Sequence, residues 1–548
     1  MIGLKGRQVP RRGADLIRRT VVAGIAALGV AAATYGLVSP AVAQQKTVVM
    51  AIEGEPGRLD PHTHALWLTY REVYLMFESF TQQDLSKADV PIPDIKPALA
   101  ESWTVSDDKK VYTFNLRKGV KFHDGTPWNA EAAKFNFDRV LDKKFQYFNE
   151  LAFNFNTWWH QDIGSYEVVD EFTFKITLKQ PNSEFLRRMS MGGFGSAAML
   201  SPESVKKWGN EDVSLHPTGT GPFKFAERVV NEKIVMDRNP DYWDKDRTPK
   251  IDRLIIRGIP DVATRELALL TGEVDIIATP APDSVDYIKS QGMNVVMGPV
   301  PTIYLMWVNF KQKPLDDVRV RQALFMAIDR DGLCKFLRRG QCLPAYSILN
   351  FGGPGYDAKY NPLPYDPNKA KQLLADAGFP NGFDVRVDWT PGGAGDVATV
   401  ADAEWIQRDW SRIGVNLKIE QFEISTYMQQ MNKGMREGTG FMQLSWGENA
   451  FHWLDASISP AALPPNGFNA GFYDNPKVGE LLAAARAAPS DEEMVAKLRE
   501  MEKIVVEQDT AFIPTHSPLG VYAMNPSISG FVLPPQHWTD LALIDKAQ

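Results

Sequence analysis

The chain is short of the residues that would build several common chemistries. It has two cysteines, Cys334 and Cys342, among 548 residues. A fold stapled by many disulfides and a four-thiolate metal site are therefore both excluded. It contains no Gly-x-Ser-x-Gly elbow, no His-Glu-x-x-His helix, no Cys-x-x-Cys pair and no Walker loop, so the usual signatures of nucleophilic, metal-dependent and nucleotide-driven catalysis are missing. Positive charge is scarce too. The formal net charge is −7, and the first 43 residues hold six basic residues against one acidic residue, so the remainder is more acidic still. A surface of that sign argues against nucleic acid as a partner. Beyond residue 38 no stretch is apolar enough to span a bilayer.

What is present begins with an export signal. Basic residues end at Arg19, an uncharged Ala/Gly/Val-rich run covers Thr20 to Val38, and Ala41-Val42-Ala43 is a small-x-small cleavage site. The mature chain is expected to start at Gln44. Arg18-Arg19-Thr20 fits a twin-arginine signal. The absence of a following Phe-Leu leaves the Sec and Tat routes both open. With no cysteine near the cleavage site, lipid anchoring there is excluded, and a freely soluble periplasmic protein is expected. In that oxidising compartment the two cysteines can pair. An unbroken helix would hold them about 12 Å apart, and a bridge needs Cα atoms under about 7 Å. Pairing therefore requires a turn near Gly340, and the sequence leaves the bridged and free forms open.

The clearest local pattern is residues 97–139. Tyr112, Phe114 and Leu116 alternate with polar residues as a half-buried strand does. Lys118-Gly119 reads as a turn and Val120 and Phe122 as the return strand of a hairpin. Asn129 is placed to cap a helix with Ala133, Phe137 and Val140 on its inner face. Farther on, Asp316 is the expected cap of a helix carrying Val320, Ala323, Leu324, Ala327 and Ile328. Gly219 and Gly221 lack the Gly-Lys-Ser/Thr of a phosphate loop and read as tight backbone.

The runs ALAESWTVSDD and YTFNLRKGVKFHDGTPW resemble the signature region of the family 5 solute-binding proteins, the extracytoplasmic receptors of peptide, nickel and oligosaccharide ABC importers. EPGRLDPH (55–62), HPTGTGPFKFAERVVNEKIVMDRNPDYWDK (216–245), KPLDDVRVRQALFMAIDRDGL (313–333), YDPNKAKQLLADAGFPNGFDVRVDW (365–389) and AEWIQRDWSRIGVNLKIEQFE (403–423) are similar to the same family. The resemblance implies an α/β, two-lobed periplasmic binding protein of type II, with mixed sheets flanked by helices and a hinged cleft. Lobe I would comprise 44–80, 213–303 and 515–548, with an extra subdomain at 81–212. Lobe II would be 304–514. The implied role is ligand capture and delivery to an ABC permease and its ATPase subunits, with no bond made or broken, no cofactor and a monomeric chain. A secreted hydrolase is the rival class.

The same resemblance suggests which residues meet the ligand. His64 and Trp67 would face the cleft from the first lobe, and Tyr304, Trp307 and Asn309 from a crossing strand. Trp389, Trp446, Glu448, Asn449, His452 and Trp453 would do so from the second lobe. Singly, each aromatic also fits core packing. Dipeptide receptors of this family carry an Asp that pairs with the peptide amine, where this chain has Trp446-Gly447-Glu448-Asn449. They carry an Arg for the peptide carboxylate, where this chain has Val400-Ala401. A buried carboxylate needs a charged or multiply donating partner, so a free dipeptide is disfavoured. A longer peptide, a sugar, an opine-like conjugate and a nickel chelate held by His452 or His64 stay as alternatives.

Overall fold

One strand has to satisfy backbone groups on both sides of the molecule, and the rest is arranged along it. The computed structural model describes residues 45–547 apart from 56, 64–66, 192–196, 391–398, 448–449 and 537. The expected leader and its cleavage site lie outside the described residues. Among the described residues the strands form sheets of twelve, four, three and two strands. The twelve-stranded sheet runs through the thirteen-residue strand Phe512–Met524. Its last residues pair antiparallel with Ile276–Ala278 and Asn294–Pro299. Its first residues pair antiparallel with Thr302–Val308.

On one side of that strand, Thr47–Ile52 lies parallel to both Arg253–Gly258 and Ile276–Ala278. On the other, Asp384–Trp389 lies parallel to Asn416–Gln421 and Phe441–Gly447. Parallel strands covered on both faces read as continuous apolar runs rather than alternating ones, and VVMAI at 48–52 is such a run. Thr302–Val308, antiparallel between two neighbours, is buried at every position. The side chains form separate cores. Leu305, Leu324, Trp410 and Leu498 belong to one, and Val48, Met50, Leu254 and Ile276 to another. Phe80, Phe114, Phe137 and Trp159 belong to a third, beside the four-stranded sheet. Each large apolar side chain removed from water contributes about 1.5–3 kcal/mol. The mixed-sheet, two-lobed architecture expected from the resemblance is thus present. Among the described residues no helix is long and apolar enough to cross a membrane.

Two local expectations need correction. Val111–Leu116 is a strand, but it does not form a hairpin with 120–122. Its two edges are taken by Ala100–Val105 and Thr173–Leu178, which leaves no edge for a return strand. Val120 and Phe122 are still buried, held between two tight turns whose Gly119 and Gly125 have φ of 76° and 86°. The cap of helix Val318–Met326 is Asp317, whose side chain accepts from the Arg319 amide, rather than Asp316. Other readings hold. Asn129 caps Ala130–Leu141 by accepting from the Ala132 amide, and Ala133, Phe137 and Val140 are buried. Gly219 and Gly221 are tight for a plain reason: a Cβ there would lie 2.2 Å from the Met76 carbonyl oxygen and 2.5 Å from that of Leu75. Cys334 and Cys342 are joined, with Cα atoms 5.2 Å apart, and the chain turns back at Gly340, whose φ is 81°.

The loop after the first strand is fastened to helix Ala130–Leu141 by a fully buried ion pair. Arg139 meets the two oxygens of Asp60 at 3.2 and 2.6 Å and donates to His62 Nδ1 at 2.9 Å. Burial pushes the Asp60 carboxyl up, but Arg139 outweighs it and holds it down at about 2. Breaking one side of such a pair strands a charge in the interior at a cost of about 3–5 kcal/mol. Arg139→Met should therefore lower the thermal midpoint substantially, and adding Asp60→Asn should restore part of the loss. Equal melting of the single and double variants would remove the pair from the stability argument.

Candidate functional site

In open α/β sheets, ligands bind outside the carboxyl ends of the parallel strands, where the strand order reverses. Here those ends are Ile52, Gly258 and Ala278 on one side of the central strand, and Trp389, Gln421 and Gly447 on the other. On the first side, Glu53 follows Ile52 directly. Its Oε2 accepts from Arg71 at 3.0 Å, and Arg71 also reaches the Tyr522 hydroxyl at 3.4 Å. Burial raises the Glu53 carboxyl, yet Arg71 and its hydrogen bonds bring it below the ordinary range. Burial acts against the Arg71 charge, but Glu53 more than offsets it and strengthens the hold on the proton. Arg265 clasps the strand ends. Its guanidinium donates to the carbonyls of Ala278, Ile259, Pro260 and Thr279 at 2.6–3.3 Å. Next in line, Arg228 and the Asn231 amide hold Glu55.

On the second side, helix Thr399–Ser411 crosses between the parallel strands Asp384–Trp389 and Asn416–Gln421. Its first turn presents Asp402, which is buried and held by Arg338 through two donors, Nε at 3.0 Å and a second, shorter bond. The Arg338 terminal nitrogen lies 3.3 Å from His516 Nε2. The His516 ring in turn lies flat on that of Tyr304, centroids 4.7 Å apart and planes within 1°. Tyr304 pairs with Ser445 near the carboxyl end of Phe441–Gly447, so this cluster lies by the strand ends.

The residues nominated from sequence are distributed unevenly. Tyr304 joins the cluster. Trp307 has the opposite parity along the strand, so the pleat turns it to the other face, and Asn309 lies just past the strand's end. Trp307 packs edge-on against Phe512, and Asn309 donates to the Thr439 carbonyl at 2.7 Å. Trp389 ends its strand and is 2% exposed, and Trp453 is 1% exposed, both within the core around Leu305. His64, Glu448 and Asn449 lie outside the described residues, as do the side chains of Trp67, Trp446 and His452. The sequence reading passed over Glu53, Arg71, Tyr522, Arg338, Asp402 and His516. Two signals were available: a charged pair, Arg338-Arg339, between the only two cysteines, and a lone histidine in the returning run AFIPTHSP. Among the described residues, no group of three His, Cys, Asp or Glu is spaced to hold a metal ion.

Beside Arg71 sits Glu72, which is 0% exposed. Neither carboxyl oxygen has a hydrogen-bond partner among the described residues. Burial is the dominant influence and raises its pKa to about 8, against smaller opposing effects that include Arg71 and Arg228. An unfolded glutamate titrates near 4.3. The folded chain therefore keeps a proton that the unfolded chain loses between about pH 4 and 8, and stability falls as pH rises through that window. Glu72→Gln should remove this component. Its thermal midpoint relative to wild type should climb between pH 5 and pH 8; a pH-independent difference would show that Glu72 does not titrate in that range.

The model of bacterial extracellular solute-binding proteins, family 5 Middle, matches residues 94–469. The glutathione-binding protein GsiB of Escherichia coli O1:K1 / APEC is 31% identical over 520 residues, covering 93% of this chain and 96% of the relative. Two solved structures superpose with a TM-score of 0.78. One is the ABC transporter-associated periplasmic binding protein DppA from Helicobacter pylori in complex with peptide STSA, at 25% identity over 92% of this chain and 99% of that one. The other is HbpA2 from Haemophilus parasuis, at 27% identity over 92% and 100%. These matches extend along nearly the whole chain and agree with the runs that carry the sequence resemblance: the protein belongs to the bacterial extracellular solute-binding proteins of family 5.

Proposed function

We propose that this chain captures a short peptide or a peptide-like conjugate between its two lobes and hands it to an ABC permease with its ATPase subunits. The observation that carries the reading is the 31% identity to a glutathione-binding protein across 93% of the chain. The lobes divide at 44–80, 213–303 and 515–548 for lobe I, with 81–212 as its extra subdomain, and 304–514 for lobe II. The chain works as a periplasmic monomer after its leader is removed behind Ala43, and it transforms nothing. His64 and Trp67 contribute to the cleft from lobe I, and Tyr304, Trp389, Trp446 and His452 from the crossing strand and lobe II. Glu448 supplies the carboxylate for a ligand amine, and Asn449 stands beside it. The ordered charges at the strand ends suit a zwitterionic ligand, since fixed ion pairs lose little on meeting a second pair of opposite charges.

Isothermal titration with glutathione, S-methylglutathione and the tetrapeptide Ser-Thr-Ser-Ala tests this on mature protein stripped of co-purified ligand. Saturable binding to at least one is expected, with a rise in melting temperature that grows with ligand concentration. At a hundredfold excess over Kd the added stability is about 2.7 kcal/mol. Glu448→Gln should weaken any ligand bearing a free amine and spare its N-acetylated form. Flat titrations with all three, alongside binding of a monosaccharide or a nickel chelate, would replace the peptide reading.

A further inference from the structure

The loop closed by Cys334 and Cys342 plays no part in the proposed capture, yet it is tied both to the central strand and to residues 282–283. Its Arg339 reaches Asp283 at 2.8 Å, and Gln341 donates to the Pro282 carbonyl at 3.3 Å. The strand after it, Cys342–Pro344, pairs with residues 516–518 of the central strand, and the Leu519 amide donates to the Gln341 carbonyl. Arg338 points the other way, into the buried cluster with Asp402 and His516. Asp402 Oδ2 lies 3.8 Å from His516 Nε2, outside hydrogen-bond reach, whereas the Arg338 guanidinium lies 3.3 Å away and can only donate, so Nε2 accepts and the ring proton is assigned to Nδ1. From there the ring donates to Thr515 Oγ1 at 3.2 Å, and that hydroxyl donates to the Tyr304 carbonyl at 3.0 Å. A continuous chain of donors thus runs from the disulfide loop through Arg338, His516 and Thr515 to the backbone of Tyr304. The Tyr304 ring lies against the His516 ring at the far end.

We propose that the disulfide-closed loop is a positioning element for the ligand site: it fixes Arg338, Arg338 selects the Nδ1-protonated tautomer of His516, and that tautomer sets the orientation of Tyr304. The ligand-affinity part of this proposal rests on the reading of Tyr304 as a cleft residue. The second nitrogen of a histidine is routinely set by the bond the first one makes, and contacts behind a site residue determine how well it is held. A short loop bounded by a covalent link is well suited to keeping a long arginine in one place.

The test uses mature protein labelled with 15N-histidine, with His516 assigned from the signals lost in His516→Gln. Wild type should show the Nδ1–H pattern for His516. Arg338→Met and Cys334→Ser/Cys342→Ser should shift it toward Nε2–H, and Arg338→Lys, which keeps a donor, should retain the wild-type pattern. Reduction of the folded wild type with dithiothreitol should reproduce the double-serine result, which covers the case in which that variant fails to fold. Affinity for S-methylglutathione, which has no free thiol, should weaken roughly tenfold in Arg338→Met, with recovery in Arg338→Lys. An unchanged His516 tautomer after loss of the disulfide overturns the proposal, and so does a switched tautomer with unaltered affinity. If wild type binds no peptide probe, the peptide reading fails, and the tautomer measurement still decides the positioning role.

Discussion

A strand inside a sheet must have its amides and carbonyls paired on both edges, and Phe512–Met524 meets that requirement with partners drawn from both halves of the molecule. It contains Pro514 and Pro518, neither of which can donate. Proline is tolerated within a sheet mainly at irregularities, and the pairing with Thr302–Val308 does shift register between Tyr304 and Leu305, where Pro514 is the partner. The Pro514 carbonyl is recovered by the buried Arg330, at 2.8 Å. The irregularity falls where Tyr304 meets His516. The break in the ladder and the aromatic stack are therefore one feature, and the position of the candidate site follows from where the central strand cannot donate.

Buried arginines do comparable work elsewhere. Arg265 gathers the carbonyls at two strand ends, Arg139 fixes the first loop to a helix, and Arg338 joins a disulfide loop to a helix and a strand. A planar cation with five donors can satisfy several backbone or carboxylate oxygens at once. It therefore suits places where irregular chain must be buried without leaving acceptors unpaired.

The contrast between what was legible and what was not follows the range of the interactions. The cap at Asn129 and the inner face of its helix are local, and both could be read from neighbouring residues. The hairpin at 112–122 also looked local but failed, because a strand's partner is chosen by whichever edge is free. Residues 100–105 and 173–178 occupied both edges. The family resemblance was carried by long runs and survived. The cluster at Arg338 could not be assembled from spacing, since its members lie at 304, 338, 402 and 516 and meet only through the sheet register. Trp307 and Trp389 show why residue type alone does not place a side chain: a tryptophan suited to stacking on a ligand is equally suited to a core, and parity and burial are read only from the fold.

The central strand also follows every other strand of its sheet in the sequence. Domains made early in a chain generally begin to fold during synthesis, but neither half of this sheet has its middle edge covered until residues 512–524 leave the ribosome. The sheet is thus denied its finished architecture until these residues have been made. The order of the strands serves as a timer, holding the sheet open at its middle until its last strand arrives.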